Sequence, residues 1–109
     1  MKYHNRKTTV NGIVFDSAKE ARRYLELLLL ERAGEISHLK RQVKFELVPA
    51  QYVDGRCVER AVVYIADFVY HDFASNEVIV EDVKGAKTKD YIIKRKLMLH
   101  KHGIQITEV

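Results

Sequence analysis

The spacing of apolar positions changes several times along the chain, and each change marks an element. Val10-Asn11-Gly12-Ile13-Val14-Phe15 sets an Asn-Gly pair between apolar residues, the turn chemistry of a short hairpin. Ser17-Ala18-Lys19-Glu20 has the form of a capping box. After it Ala21, Leu25, Leu28 and Arg32 recur along one line, with Tyr24 and Leu27 beside it, which predicts an amphipathic helix starting at Asp16 or Ser17. Gly34 stands where glycine ends helices. From His38 to Val48 the period becomes two: Val43, Phe45 and Leu47 alternate with Gln42, Lys44 and Glu46, and Pro49 closes the strand. Residues 50–59 read as a turn around Asp54-Gly55. Arg60 to His71, rich in Val, Ile, Tyr and Phe, is the strongest strand signal. Glu77 to Lys84 is a third strand, and Gly85 to Lys87 a loop. A second helix is predicted from about Thr88 to His102, stopped by Gly103, and a last strand from Ile104 to Val109.

The predicted order is a small hairpin, then helix, three strands, helix, strand. Strands in a run followed by a helix-strand crossover predict an α/β fold with a mixed sheet flanked by helices. The 109 residues suffice for one domain, 1–109, with residues 1–9 a polar arm or an edge strand. The apolar share, 47%, is that of a globular chain. Leu27 to Leu30 is the longest apolar run, far too short to span a bilayer, and the basic N-terminus has no apolar stretch after it to make a signal peptide. One cysteine, Cys57, allows no internal disulfide and no multi-cysteine zinc site, and fits a reducing cytoplasm. His100 and His102, two apart on a helix, fall on different faces and make a poor metal pair. There is no Gly-rich phosphate loop, which argues against nucleotide hydrolysis. The net charge of +4 is modest, but its distribution is uneven: Lys84 to Lys101 is dense in Lys and Arg and holds one acid, Asp90. That density reads equally as a solvated helix face or as a grip on a polyanion.

Two acids sit where strands disfavour them. Asp67 lies within Val62-Val63-Tyr64-Ile65-Ala66-Asp67-Phe68-Val69-Tyr70, and Asp82 within Val78-Ile79-Val80-Glu81-Asp82-Val83-Lys84. A conflict between local preference and overall pattern tends to mark a functional site. Period two puts Asp82 and Lys84 on one face, with Glu81 on the opposite face or at the strand edge. If the two strands pair, Asp67 can face Asp82, and two carboxylates so placed repel unless a cation such as Mg²⁺ joins them. The alternative is that Asp67 ends its strand early and Lys84 merely pairs with Asp82 on a solvated face.

Asp67, followed after a turn by Asp82-Val83-Lys84, resembles the signature of the PD-(D/E)xK nuclease superfamily, with Ala66 in place of its proline. Phe15-Asp16-Ser17-Ala18-Lys19-Glu20-Ala21, Gly34-Glu35-Ile36, Ala66 to Tyr70, Glu81 to Gly85 and Lys94-Arg95-Lys96-Leu97 also resemble a phage-borne group of unknown function related to Holliday-junction resolvases. The resemblance implies a restriction-endonuclease-like core, helix-strand-strand-strand-helix-strand. It implies a Mg²⁺- or Mn²⁺-dependent endonuclease hydrolysing DNA phosphodiesters, with branched DNA as the expected substrate. Asp67 and Asp82, assisted by the Val83 carbonyl, would hold the metal, and Lys84 would support the nucleophile and the developing charge. Glu20 either joins the catalytic set or only caps its helix. Lys87, Lys89, Lys94, Arg95 and Lys96 would contact DNA. A phage origin would place the protein in the host cytoplasm. Leu27 to Leu30 cover more than one helix face, which leads to the expectation of a homodimer, the alternative being that the wide stripe is buried under the N-terminal hairpin. The competing reading is a non-catalytic DNA-binding or replication and recombination accessory protein that keeps the nuclease fold.

Overall fold

The computed structural model describes residues 7–109. The described chain divides into two compact units, residues 7–39 with 70–78, and residues 40–69 with 79–109. Strands β1 (Thr8–Val10) and β2 (Ile13–Phe15) form the expected hairpin, with Val10 opposite Ile13. Asn11 and Gly12 both take positive φ, 51° and 77°, as a two-residue turn with the twist of its strands requires. Of residues 1–9, expected as an arm or an edge strand, Thr8 and Thr9 lie in strand β1; residues 1–6 lie outside those described.

Helix α1 runs from Ala18 to Arg32. Ser17 caps it, its hydroxyl oxygen accepting from the Glu20 N–H at 3.1 Å. Gly34 follows the helix with φ 79°. The first unit forms where α1 packs on the hairpin, with Phe15 and Tyr24 rings 5.2 Å apart and Phe15, Ala21, Leu27 and Ile36 buried. The leucine run divides by helical phase: Leu27 is fully buried, whereas Leu25 and Leu29 stand 44% and 63% exposed.

A four-stranded sheet follows the order β3 (Ile36–Val48), β6 (Val62–Asp72), β7 (Glu77–Asp82), β8 (Thr107–Glu108). The β7–β8 pair is parallel, joined through α2 (Lys89–Leu97), so the fold is α/β. The second unit's core gathers Leu47, Tyr64, Ala66, Val80, Tyr91, Met98 and Ile106. Tyr64, Ala66 and Phe68 are buried in alternation along β6, the period-two pattern legible in the sequence.

Several segments differ from expectation. Residues 50–59 are not only a turn: Gln51–Val53 (β4) and Arg56–Glu59 (β5) pair as a fully exposed hairpin, with Asp54 and Gly55 at positive φ. The strand expected from Arg60 starts at Val62, and the one expected to reach Lys84 ends at Asp82. The helix expected to run to His102 is α-helical only to Leu97, then takes one π-helical turn, Met98–His102, before Gly103 at φ 66°. That turn carries Met98 into the core, completely buried. The strand expected from Ile104 forms only at Thr107, because Ile104 instead bonds back through its N–H to the Met98 carbonyl.

The buried Met98 thioether yields a stability prediction. Met98→Ala should lower the unfolding free energy by about 2–5 kcal/mol, the usual cost of emptying a close-packed site. Urea denaturation monitored by circular dichroism measures it, and a loss below 1 kcal/mol on the order set by surface substitutions would contradict the packing described.

Candidate functional site

Asp82, at the C-terminal end of β7, is buried. Its Oδ2 accepts from the Tyr64 hydroxyl at 2.5 Å. Its Oδ1, also buried, lies 3.1 Å from Lys84 Nζ, an ion pair whose angles fall short of a hydrogen bond. Lys84 remains about a quarter exposed and sits over the Tyr91 ring, 4.2 Å from its centre. The Tyr91 hydroxyl in turn donates to Glu108 Oε2 at 2.6 Å. Arg95 donates to the same oxygen at 3.0 Å, and Lys87 Nζ lies 2.9 Å from Oε1. Glu108 is the in-register neighbour of Asp82 on the parallel strand β8. The chain from Tyr64 through Asp82, Lys84 and Tyr91 to Glu108 therefore alternates acid, base and aromatic ring across α2, β6, β7 and β8.

Asp67 reaches this region from β6, through the backbone just beyond β7. It falls between the buried Ala66 and Phe68, out of phase with their row, and its Oδ2 accepts from the Val83 backbone N–H at 2.8 Å. Gln42 Nε2 donates to its Oδ1 at 3.4 Å, from a residue held at φ 52° within β3. That left-handed backbone costs a non-glycine residue about 1–3 kcal/mol and is a sign of local constraint. Burial raises the Asp67 carboxyl above its ordinary range; the Val83 N–H opposes this, and the charge of Asp82 adds to it. The two carboxylates thus feel one another.

An open cleft of about 310 Å³ is lined by Asp82, Lys84, Tyr64, Tyr91, Thr88 and Lys94 among others. Thr88 is spent as the cap of α2, accepting from the Tyr91 N–H at 3.1 Å. The sequence-predicted residues thus separate into groups. Asp82, Lys84 and Lys94 share the cleft wall, with Asp67 and Val83 coupled to them. Lys87 and Arg95 are tied to Glu108, while Lys89 and Lys96 are exposed on α2. Glu20 is buried in the first turn of α1, in the other unit. Glu81, assigned from parity to an opposite face or an edge, is completely buried, because β7 is covered on both sides at that point. Tyr64, Tyr91 and Glu108 were missed as site residues, and their type gave little signal: aromatic residues in strands and an acid in an alternating tail are ordinary.

Burial, then donation to Asp82, pushes the Tyr64 hydroxyl far above its usual range. Burial and donation to Glu108 likewise raise that of Tyr91, so both remain donors at any working pH. Among the described residues no three His, Cys, Asp or Glu side chains converge in a metal-binding group.

These features define a small α/β protein with a mixed sheet and a charged cleft at the end of a parallel strand pair. The chain belongs to the family described as "Protein of unknown function (DUF1064)", whose model matches residues 1–107. No curated protein and no solved structure matches it. No helix among the described residues is long and apolar enough to cross a membrane.

Glu108 gives a pH prediction. The Tyr91 hydroxyl, Lys87 and Arg95 hold its carboxyl at about 2, against an ordinary 4.5. A depressed folded pKa stabilises above the unfolded value and is lost as pH falls through the folded one. The stability difference between the native chain and Glu108→Gln should therefore be full at pH 7 and should close between about 4.5 and 2. Denaturation of both proteins across that window checks it; a constant difference would show that Glu108 stays protonated or unpaired.

Proposed function

We propose that the protein is a divalent-metal-dependent deoxyribonuclease of the PD-(D/E)xK type, an endonuclease hydrolysing DNA phosphodiesters. The observation that carries this reading is Asp82 Oδ1, a buried carboxylate oxygen without a hydrogen bond beside the Lys84 ammonium in an open cleft. The order helix, β3, β6, β7, α2, β8 supports it by agreeing with the superfamily core, with β4–β5 as an insertion.

The donor set fits a hydrated Mg²⁺ or Mn²⁺ rather than an ion caged by protein alone. Mg²⁺ takes hard oxygens and keeps several waters, so one or two carboxylates suffice. Asp67 and Asp82 supply them, and the Val83 carbonyl is a third oxygen. When bound, the ion supplies Lewis-acid stabilisation of phosphoryl charge.

The chain's own groups have separable roles. Tyr64 holds Asp82 by one oxygen and leaves the other toward Lys84. Lys84, held between Asp82 and the Tyr91 ring, presents a fixed positive charge where negative charge develops at phosphorus. Lys94, on the same wall, engages a flanking phosphate, as do Lys89 and Lys96 elsewhere on the helix. Glu20 stands in the first turn of α1, its N–H bonded to the Ser17 cap.

A second reading has an observation of its own. Asp67 already accepts from the Val83 N–H and Gln42, and no three acidic or His/Cys groups converge among the described residues. A DNA-binding accessory protein that keeps the fold accommodates both facts.

Cleavage assays with Mg²⁺ or Mn²⁺ separate the two. Asp67→Ala, Asp82→Ala and Lys84→Ala should each lower the cleavage rate by about 10³-fold or more while DNA binding persists. Retained activity in any one removes that residue from the mechanism, and an inactive native chain that binds no divalent ion by calorimetry selects the accessory reading.

Substrate and assembly are tested together. A branched junction has two scissile strands, and one domain has one site, so paired cuts call for two copies. The exposed Leu25 and Leu29 are an apolar strip suited to self-association. Sedimentation should show a homodimer at micromolar concentration, with four-way junctions cut faster than linear duplex. A monomer that nicks linear duplex equally fast would sink the branched-DNA version alone.

A further inference from the structure

The cluster around Glu108 is assembled like an oxyanion site whose anion is part of the chain. A hydroxyl, a guanidinium and an ammonium converge on one carboxylate from Tyr91, Arg95 and Lys87 at 2.6, 3.0 and 2.9 Å. Charge-assisted donors in this arrangement are those that bind phosphate oxygens. Lys87 is half exposed and Arg95 about a third exposed, so both are open to a ligand from outside. Their neighbours Lys84 and Lys94 line the adjacent cleft, and Glu108 holds both Lys87 and Arg95.

We infer that Glu108 is an internal competitor for the DNA backbone: it occupies Lys87 and Arg95 in the free protein, and phosphates must displace it to gain them. The consequence is selectivity. An isolated anion offers Lys87 and Arg95 no more than Glu108 already does, and loses. A polyanion engaging Lys84, Lys94, Lys89 and Lys96 together raises the local phosphate concentration enough to take over both cations. Glu108 keeps its bond from Tyr91 throughout, so the exchange leaves the platform beneath Lys84 in place. The inference rests on the DNA-facing part of the proposed function and is independent of cleavage.

The test is a double-mutant cycle of binding to a short fluorescent duplex, by anisotropy in EDTA across a salt series. Glu108→Gln keeps an oxygen acceptor for Tyr91 and should bind severalfold more tightly than the native chain. Its plot of log affinity against log salt should be steeper by about one. Lys87→Gln should cost little in the native background and about tenfold at low salt when combined with Glu108→Gln. Arg95→Gln should behave likewise. Additive effects in the two backgrounds, or weaker binding by a Glu108→Gln chain of unchanged melting temperature, overturn the inference. If Glu108→Gln does not fold, the native-background variants decide: a tenfold loss from Lys87→Gln alone overturns it, and a near-native affinity supports it. No binding by any variant overturns it along with the DNA-facing reading. Absence of metal-dependent cleavage, with the cycle non-additive, removes only the nuclease assignment.

Discussion

A carboxylate buried at the end of a strand is the constraint around which the second unit is arranged. Asp82 is almost inaccessible to water, and a buried charge of that kind costs several kcal/mol, about as much as the net stability of many domains, unless its partners are well placed. Two partners are present, and they are unlike. Tyr64 donates a neutral hydrogen bond from within the core, and Lys84 contributes charge from the cleft. Each partner then needs support of its own. Tyr64 obtains it by packing with Ala66, Val80 and Met98, and Lys84 from the face of Tyr91. Tyr91 needs an acceptor for its hydroxyl, and Glu108, the in-register neighbour of Asp82, supplies it. The parallel β7–β8 pair therefore has an electrostatic purpose besides its backbone bonds: it sets two carboxylates side by side, each neutralised from a different direction.

What could be read from the sequence was what depends on near neighbours. The Asn11-Gly12 turn, the Ser17 cap and the Gly34 and Gly103 helix ends are local chemistry, and each is found where expected. The pairing of Asp82 with Lys84 is anticipated by period two, although β7 itself ends at Asp82. Burial across the sheet was not legible. Alternation sets Glu81 on the face opposite Lys84 or at the strand edge but does not announce its complete enclosure, because alternation cannot tell a strand covered on both faces from one that meets water. The link from Tyr64 to Asp82 spans eighteen positions, and that from Tyr91 to Glu108 seventeen, with only ordinary residue types at each end. The Asp54-Gly55 turn was visible, but whether its flanks pair depends on backbone bonds that no side-chain pattern announces.

Asp67 shows how one residue type serves two accounts. Capping the Val83 N–H satisfies a backbone donor just beyond the end of β7, which is a structural service any well-placed carboxylate can perform. The same contact fixes one oxygen and leaves the carboxyl within electrostatic reach of Asp82 and Lys84. Gln42, held in a left-handed conformation inside β3, braces the other oxygen. The structural and the chemical readings thus draw on a single geometry, which is why only variants that separate binding from turnover distinguish them.

The π-helical turn at Met98–His102 has a meaning in terms of chain length. Such a turn is an α-helix that accommodates one surplus residue as a local widening. Upstream of it the helical phase is set by Tyr91 and Arg95, which must both meet Glu108. Downstream, the chain is tied down at Gly103 and Ile104, whose N–H groups return to the carbonyls of Leu99 and Met98. Two anchored ends with one residue too many between them give the surplus only one place to go. The widening acts as an expansion joint: a difference in length between the sheet crossover and the helix is absorbed there, and the face of the helix that carries the basic residues keeps its rotation.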